Sequence, residues 1–145
     1  MGGSDRDEVE KVIPTKDGGC LIGIYSYSGT YNGKKKQTIS SQILQKPSNS
    51  QNNPKNPDQP KPVDVDFYGK QTENYGVGDY WIVKLDRSGK VEWEQNFGGK
   101  NDDHLRHLSF TEDGYVIGGE SRSESSGNKR LSLKEGTDLW LIKLN

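Results

Sequence analysis

The chain repeats itself. Gly2-Gly3-Ser4-Asp5-Arg6-Asp7 lines up with Gly98-Gly99-Lys100-Asn101-Asp102-Asp103, and Val9 and Val12 then fall opposite Leu105 and Leu108. Thr15-Lys16-Asp17-Gly18 matches Thr111-Glu112-Asp113-Gly114. After a one-residue gap, Leu21-Ile22-Gly23 matches Val116-Ile117-Gly118, with Ser26 and Ser28 opposite Ser121 and Ser123. Further on, Asp79-Tyr80-Trp81-Ile82-Val83-Lys84-Leu85 matches Asp138-Leu139-Trp140-Leu141-Ile142-Lys143-Leu144. Agreement in one order at three separate places points to a single structural unit built twice.

Each copy reads as strands and turns. The chain has no alanine, and Val, Ile, Tyr, Trp and Thr crowd its patterned segments, which favours strands over helices. A strand is expected over 8–15, a glycine-assisted hairpin turn at Lys16-Asp17-Gly18-Gly19, and a second strand over 20–26. A third strand covers 80–86, a turn Arg87-Ser88-Gly89, and a fourth strand 90–97, with Val91, Trp93 and Gln95 on one face by period two. Gly98-Gly99 opens the second copy, for which three strands are expected before Asn145 and no fourth. The domain reading is therefore residues 1–97 as a first unit, with an insertion at about 31–76, and residues 98–145 as a second, incomplete one.

Tandem four-stranded units, each with turn signals and a Trp, suggest an all-β fold of propeller-like antiparallel blades. The pattern Gly-Gly-x-x-x-Asp, Thr-x-Asp-Gly, Asp-x-Trp-x-x-Lys-Leu-Asp and Gly-x-x-x-Trp-x-x-x-x-Gly-Gly resembles the bacterial β-propeller repeats of large exported proteins, many from Bacteroidetes. The resemblance covers nearly all of the chain outside residues 31–76. It implies a secreted or cell-surface protein, whose leader would not be part of this chain, and it says little about ligands. The stretch from Leu85 to Trp93 is similar to the Trp-bearing docking hairpin of pyrroloquinoline-quinone-type propellers, which bears on fold and not on cofactor.

The first copy carries 36 residues more than the second between its second and third strands, and five of the six prolines fall there. Its centre, Pro47 to Pro62, lacks large apolar residues and reads as a flexible or polyproline-II-like loop, where protease should cut first at Lys55 or Lys61. Val63-Asp64-Val65-Asp66-Phe67 alternates strictly, and 38–44 is partly strand-like. They are read either as a hairpin arm extending the neighbouring strands or as part of a surface loop.

Composition excludes some partners. Net charge is −1 over 145 residues, so no general field draws nucleic acid or anionic lipid. No apolar run approaches the length of a membrane-spanning helix, and membrane insertion is not expected. Cys20 is the one cysteine, set in an apolar run, and an intrachain disulfide is excluded.

No catalytic constellation is read from the residues. His104 and His107 lie three apart, which on a regular strand sends their rings to opposite faces, so a zinc site is not expected from them. Asp5, Asp7 and Glu8, and Asn101, Asp102 and Asp103, offer oxygens to calcium, but the recurrence of Asp7 and Asp103 before a strand fits a loop-fixing carboxylate better. The 15–19 turn faintly resembles a sialidase Asp box, itself a structural motif. Lys34-Lys35-Lys36 reads as a solvated loop. Trp81, Trp140 and Trp93 are expected to pack between blades. No enzyme activity, cofactor or metal is therefore expected. The leading function is a non-catalytic binding or scaffolding module, with a protein or glycan as possible ligand. The rival is part of a propeller enzyme, such as a glycan-degrading one, with catalytic residues outside this chain. Two blades cannot close a ring, so self-association or further blades of a parent chain are expected, with about three or four copies closing one.

Overall fold

The computed structural model describes residues 1–30, 36–39, 63–66 and 68–145, the two short middle segments as strands only. Among the described residues nine strands follow one another: β1 (Asp7–Pro14), β2 (Cys20–Ser26), β3 (Lys36–Ile39), β4 (Val63–Asp66), β5 (Asp79–Leu85), β6 (Val91–Phe97), β7 (Asp103–Thr111), β8 (Gly114–Ser121) and β9 (Asp138–Leu144). Among the described residues no helix is long and apolar enough to cross a membrane. Two compact units result, one of Met1–Asn32 with Gly69–Asn145, the other of Gly33–Tyr68. The second unit contains β3 and β4, paired antiparallel with Lys36 opposite Asp66 and Ile39 opposite Val63. Of the two readings of the insertion's flanks, the antiparallel pairing is present, with its first strand set earlier than the pattern suggested. Lys34, Lys35, the rest of the 38–44 stretch, Phe67 and the Pro47–Pro62 centre, with its expected cleavage sites, lie outside the described residues.

The first unit is all-β and holds two antiparallel sheets, ordered β1-β2-β5-β6 and β7-β8-β9. The turns form where glycine and aspartate were read. Gly18 has a φ of 86° and Gly89 a φ of 82°, a region costly for any side chain. Asp86 Oδ1 accepts from the backbone N–H of Ser88 (2.8 Å) and Lys90 (2.9 Å), closing the β5–β6 turn.

The sheets share one register. In the first, Lys11, Gly23 and Ile82 lie side by side; in the second, His107, Gly118 and Leu141 do. Both first strands shift register at the same point, between Val9 and Lys11 and between Leu105 and His107, which leaves Glu10 and Arg106 as extra residues. The bulge changes the parity of the strand. Leu105 and Leu108, three apart, both enter the core. A third irregularity at Glu92 overturns the period-two reading of β6: Trp93 pairs with Lys84 and Val91 with Leu85, so these two side chains take opposite faces.

Strand β7 packs on β1, β2 and β5. Ile13, Leu21, Tyr80 and Ile82 of the first sheet meet Leu105, Leu108, Ile117 and Trp140 of the second in one core, and the Tyr80 and Trp140 rings lie 5.2 Å apart. Contact is close at Gly23, where an added Cβ would stand 2.7 Å from a Leu105 δ-methyl. Trp140 thus packs between the sheets. Trp81 is buried, while Trp93 stays partly exposed.

A carboxylate anchors each copy, fully buried at Asp103 and half-buried at Asp7. Asp103 accepts from Gly99 N–H (2.7 Å), Ser123 Oγ (2.7 Å) and Ser121 Oγ, tying the loop before β7 to the end of β8. Asp7 repeats this with Gly3 N–H (2.7 Å), Ser26 Oγ (2.6 Å) and Ser28 Oγ (3.0 Å). The parallel reaches into residues assigned to the insertion from sequence. Lys70 Nζ donates to Ser28 O (2.7 Å) and lies 5.4 Å from the centre of the Trp81 ring. Lys129 Nζ donates to Ser123 O and lies 5.8 Å from that of Trp140. Residues 69–76 therefore belong with the sheets, because a buried ammonium at Lys70 closes the same network as Lys129.

Asp103→Ala should cost about 3 kcal/mol in urea unfolding, since it leaves a buried N–H and two hydroxyls without their acceptor. Asp7→Ala, at a less buried node, should cost less. Equal, negligible losses at both would show that these nodes do not hold the sheets.

Candidate functional site

Three places in the first unit could carry function: a buried Asp–Lys network, a charged cluster across the two sheets, and the outer faces of the sheets.

Asp79 begins β5 and is fully buried. Its Oδ2 accepts from Tyr75 N–H (2.6 Å) and Asn96 Nδ2 (2.6 Å), while among the described residues Oδ1 has no hydrogen-bond partner. Burial pushes its carboxyl up to about 7, and nearby Asp103 adds to the rise. Lys70 is also buried, and burial brings its ammonium down to about 8, partly offset by the charges of Asp79 and Asp7. Lys70 Nζ donates to Ser26 Oγ (3.0 Å) and Asn74 Oδ1 (2.8 Å) as well as to Ser28 O. These contacts tie the loop before β5 to β2, to the segment after it and to β5, and β5 to β6. Gly98 closes over Asp79 so tightly that a Cβ there would collide with Oδ1. The network leaves no room for a substrate.

The second place joins the sheets. The His104 ring stacks on Tyr25, with centroids 3.8 Å apart and planes 10° apart, and its Nε2 lies 3.1 Å from Glu10 Oε1. The Tyr25 hydroxyl meets Asp102, and burial together with that carboxylate holds the phenol well above its ordinary range. Glu8, Glu10 and His104 bring three possible ligand atoms within 4.8 Å of one another. Glu8 is already paired with Arg6, and Glu10 lies against His104, so each carboxylate has a side-chain partner within the protein. His107 takes no part and lines a groove elsewhere. Sequence spacing tested the two histidines against each other. It missed Glu10, which the bulge presents to His104 from another strand.

Asp5, Asn101 and Asp17 lie in loops closed by hydrogen bonds. Asp5 N–H donates to Ser28 Oγ (2.9 Å) and Asn101 N–H to Ser123 Oγ (3.0 Å), so these loops are held by hydroxyls of the same nodes. Asp17 accepts from Gly19 N–H (3.1 Å) and from Lys84 Nζ (2.7 Å), and the Lys84 bond leads the causes that hold its carboxyl well below the usual range. Glu92 completes the clip on Lys84 at 2.9 Å.

The third place is a groove of about 410 Å³ on the outer face of the β7-β8-β9 sheet, lined among others by His107, Val116, Gly118, Leu139 and Leu141. Leu139 is 73% exposed and Leu141 60%. Arg106 and Glu120 stand at its rim as an ion pair of 3.2 Å. On the other outer face, that of the β1-β2-β5-β6 sheet, Val9 (63%) and Val12 (52%) are exposed. Their neighbours Ile24, Trp81 and Val83 on the same face are buried. No protein-family model, curated protein or solved structure matches the chain.

Asp79 sets a pH dependence of stability. Its carboxyl titrates at about 7 when folded, against an ordinary 3.8, so the folded chain binds more protons between those values. Its stabilising contribution is complete below about pH 4 and is lost as pH rises through about 7. Wild type should therefore lose stability over that window relative to Asp79→Asn, which has no such proton to lose. Parallel unfolding midpoints for both proteins from pH 4 to 8 would show that Asp79 ionises normally.

Proposed function

We propose that the chain is a non-catalytic β-propeller repeat module, acting as a binding or scaffolding unit of a secreted or cell-surface bacterial protein. The observation that carries this reading is the repetition of one sheet, alike in register, bulge and buried Asp–Ser–Ser node, with the two copies stacked face to face. Stacked like sheets are how propeller blades pack, and roughly four to eight of them close a ring. The outer faces are then surfaces for further blades, supplied by a parent chain or by other copies. Protein or glycan ligands would be met at loops and rims around the sheets. The reading of the chain as exported rests on the resemblance of its repeat to blades of exported proteins.

Screening the purified chain against glycosidase, esterase and phosphatase substrates tests the non-catalytic part. No turnover is expected, because the charged groups described above are engaged with one another or with backbone. Turnover that a single Asp or Glu substitution abolishes would overturn it, and would favour an enzyme.

A further inference from the structure

The contact between the two sheets is a template for a contact that the chain can make with another copy of itself. Several residues that share a register position have opposite fates in the two sheets, although Trp81 and Trp140 are both buried. Tyr80, Ile82 and Leu21 are fully buried beneath β7, whereas Leu139, Leu141 and Val116, at the same positions of the second sheet, line an open groove. Leu105 and Leu108 are buried by that packing, whereas Val9 and Val12, at the same positions of β1, are exposed. The unit thus presents one side of its internal interface as an open groove, and on another surface the β1 ridge of Val9 and Val12 that matches it, beside Ile24, Trp81 and Val83, which are already buried. We propose that these surfaces bind each other between copies of this chain, with Val9 and Val12 of one copy seated in the groove over Gly118, Leu139 and Leu141 of the next. The proposal rests on the reading of the chain as a stacking module and adds to it the partner and the docking residues.

Three observations single out a second copy as the occupant. The first is shape. Inside the chain, β7 is the strand of the second sheet that lies across the first, and its counterpart β1 carries the exposed valines. Valine is a methylene shorter than leucine. Correspondingly, the notch at Gly118 is already occupied by a δ-methyl of Leu141, whereas the equivalent notch at Gly23 receives Leu105. A valine ridge suits the shallower floor.

The second is charge. Within the chain, Glu10 faces His104 and Tyr25 faces Asp102. The positions that correspond to them between copies are Arg106 facing Glu8 and Glu120 facing Arg6. Both are pairs of opposite sign. Arg6 is 67% exposed, and the Arg106–Glu120 pair (52% and 48% exposed) lies open at the rim of the groove, whereas the Glu8 carboxylate stays beside Glu10 and His104. Docking would set Arg6 of one copy against Glu120 of the next.

The third is backbone. Gly78 and Asp102 form a parallel bridge, with Asp103 N–H donating to Gly78 O at 2.7 Å. Thr137 and Arg6 occupy the corresponding places on the two open surfaces, and Thr137 lines the groove. The contact is heterologous, since each copy uses one surface as ridge and the other as groove, so it propagates into a ring or an open chain.

The test uses the full chain in sedimentation velocity over a dilution series. Wild type should associate into multiples of the monomer mass. V9E/V12E removes the ridge and leaves the groove; L141E does the reverse. Each should keep its β-sheet circular dichroism and weaken association by at least about tenfold. An equimolar mixture of the two should form a heterodimer and stop there, because one good ridge and one good groove remain. If a variant fails to fold, the exposed charges serve instead: R6E and E120R should each weaken association, and the double variant should restore it. A strictly monomeric wild type at every concentration would overturn the proposal. So would association that survives both V9E/V12E and L141E, which would place the contact elsewhere while leaving the stacking-module reading intact.

Discussion

A carboxylate held by a glycine N–H and two serine hydroxyls is the fixed point of each half of this molecule. Asp103 opens a strand that must hydrogen-bond in one register only, and it is fully buried. A carboxylate in that setting is costly unless nearly every lone pair finds a donor. The chain provides them from two directions: a glycine N–H from the incoming loop, and two serine hydroxyls from the far end of the neighbouring strand. Satisfying the charge and setting the register are therefore one event. A slip of one residue would turn Ser121 to the other face and leave the carboxylate unpaired. The buried lysines follow from the same constraint, since Lys70 and Lys129 bond the carbonyls of the serines that serve the carboxylates.

Once the register is set, the bulge decides what the first strand of each sheet can do. Without it, Leu105 and Leu108 would point to opposite sides of β7. With Arg106 as the extra residue, both leucines enter the space over Gly23, Tyr80 and Ile82. The same device in β1 turns Glu10 toward His104. Stacking is thereby held by an apolar centre and a polar edge made by one irregularity used twice.

Much of this was legible in the sequence, and the failures have physical causes. The strands, the Asp17-Gly18 and Ser88-Gly89 turns and the role of Asp7 and Asp103 as loop-fixing groups are local matters, carried by residue type and spacing. The bulges at Glu10, Arg106 and Glu92 were not, because an inserted residue leaves no mark in a period-two pattern three or four residues long; hence Val91 and Trp93 were placed on one face. Lys70 escaped because its counterpart, Lys129, sits among unrelated residues, and only the shared target carbonyls reveal the match. The Glu10–His104 pair joins residues from two strands whose stacking no spacing rule predicts. The outer faces could not be read at all, since exposure of Leu139 depends on what lies over it and not on its own type.

Exposure of that kind carries information only when it is organised. Single apolar residues on a surface are ordinary. Here the exposed side chains fall at register positions that are buried in the other sheet, and polar residues replace apolar ones around them. Ser109 stands where the first sheet has Ile13, and Glu120 where it has Tyr25, while the middle of the groove stays Val116, Leu139 and Leu141. An apolar floor inside a charged rim is the usual anatomy of a contact that forms between separate molecules. The equivalent face of the first sheet has Ile13 and Tyr25 where the second has Ser109 and Glu120, so the two faces share an apolar centre and differ on the rim.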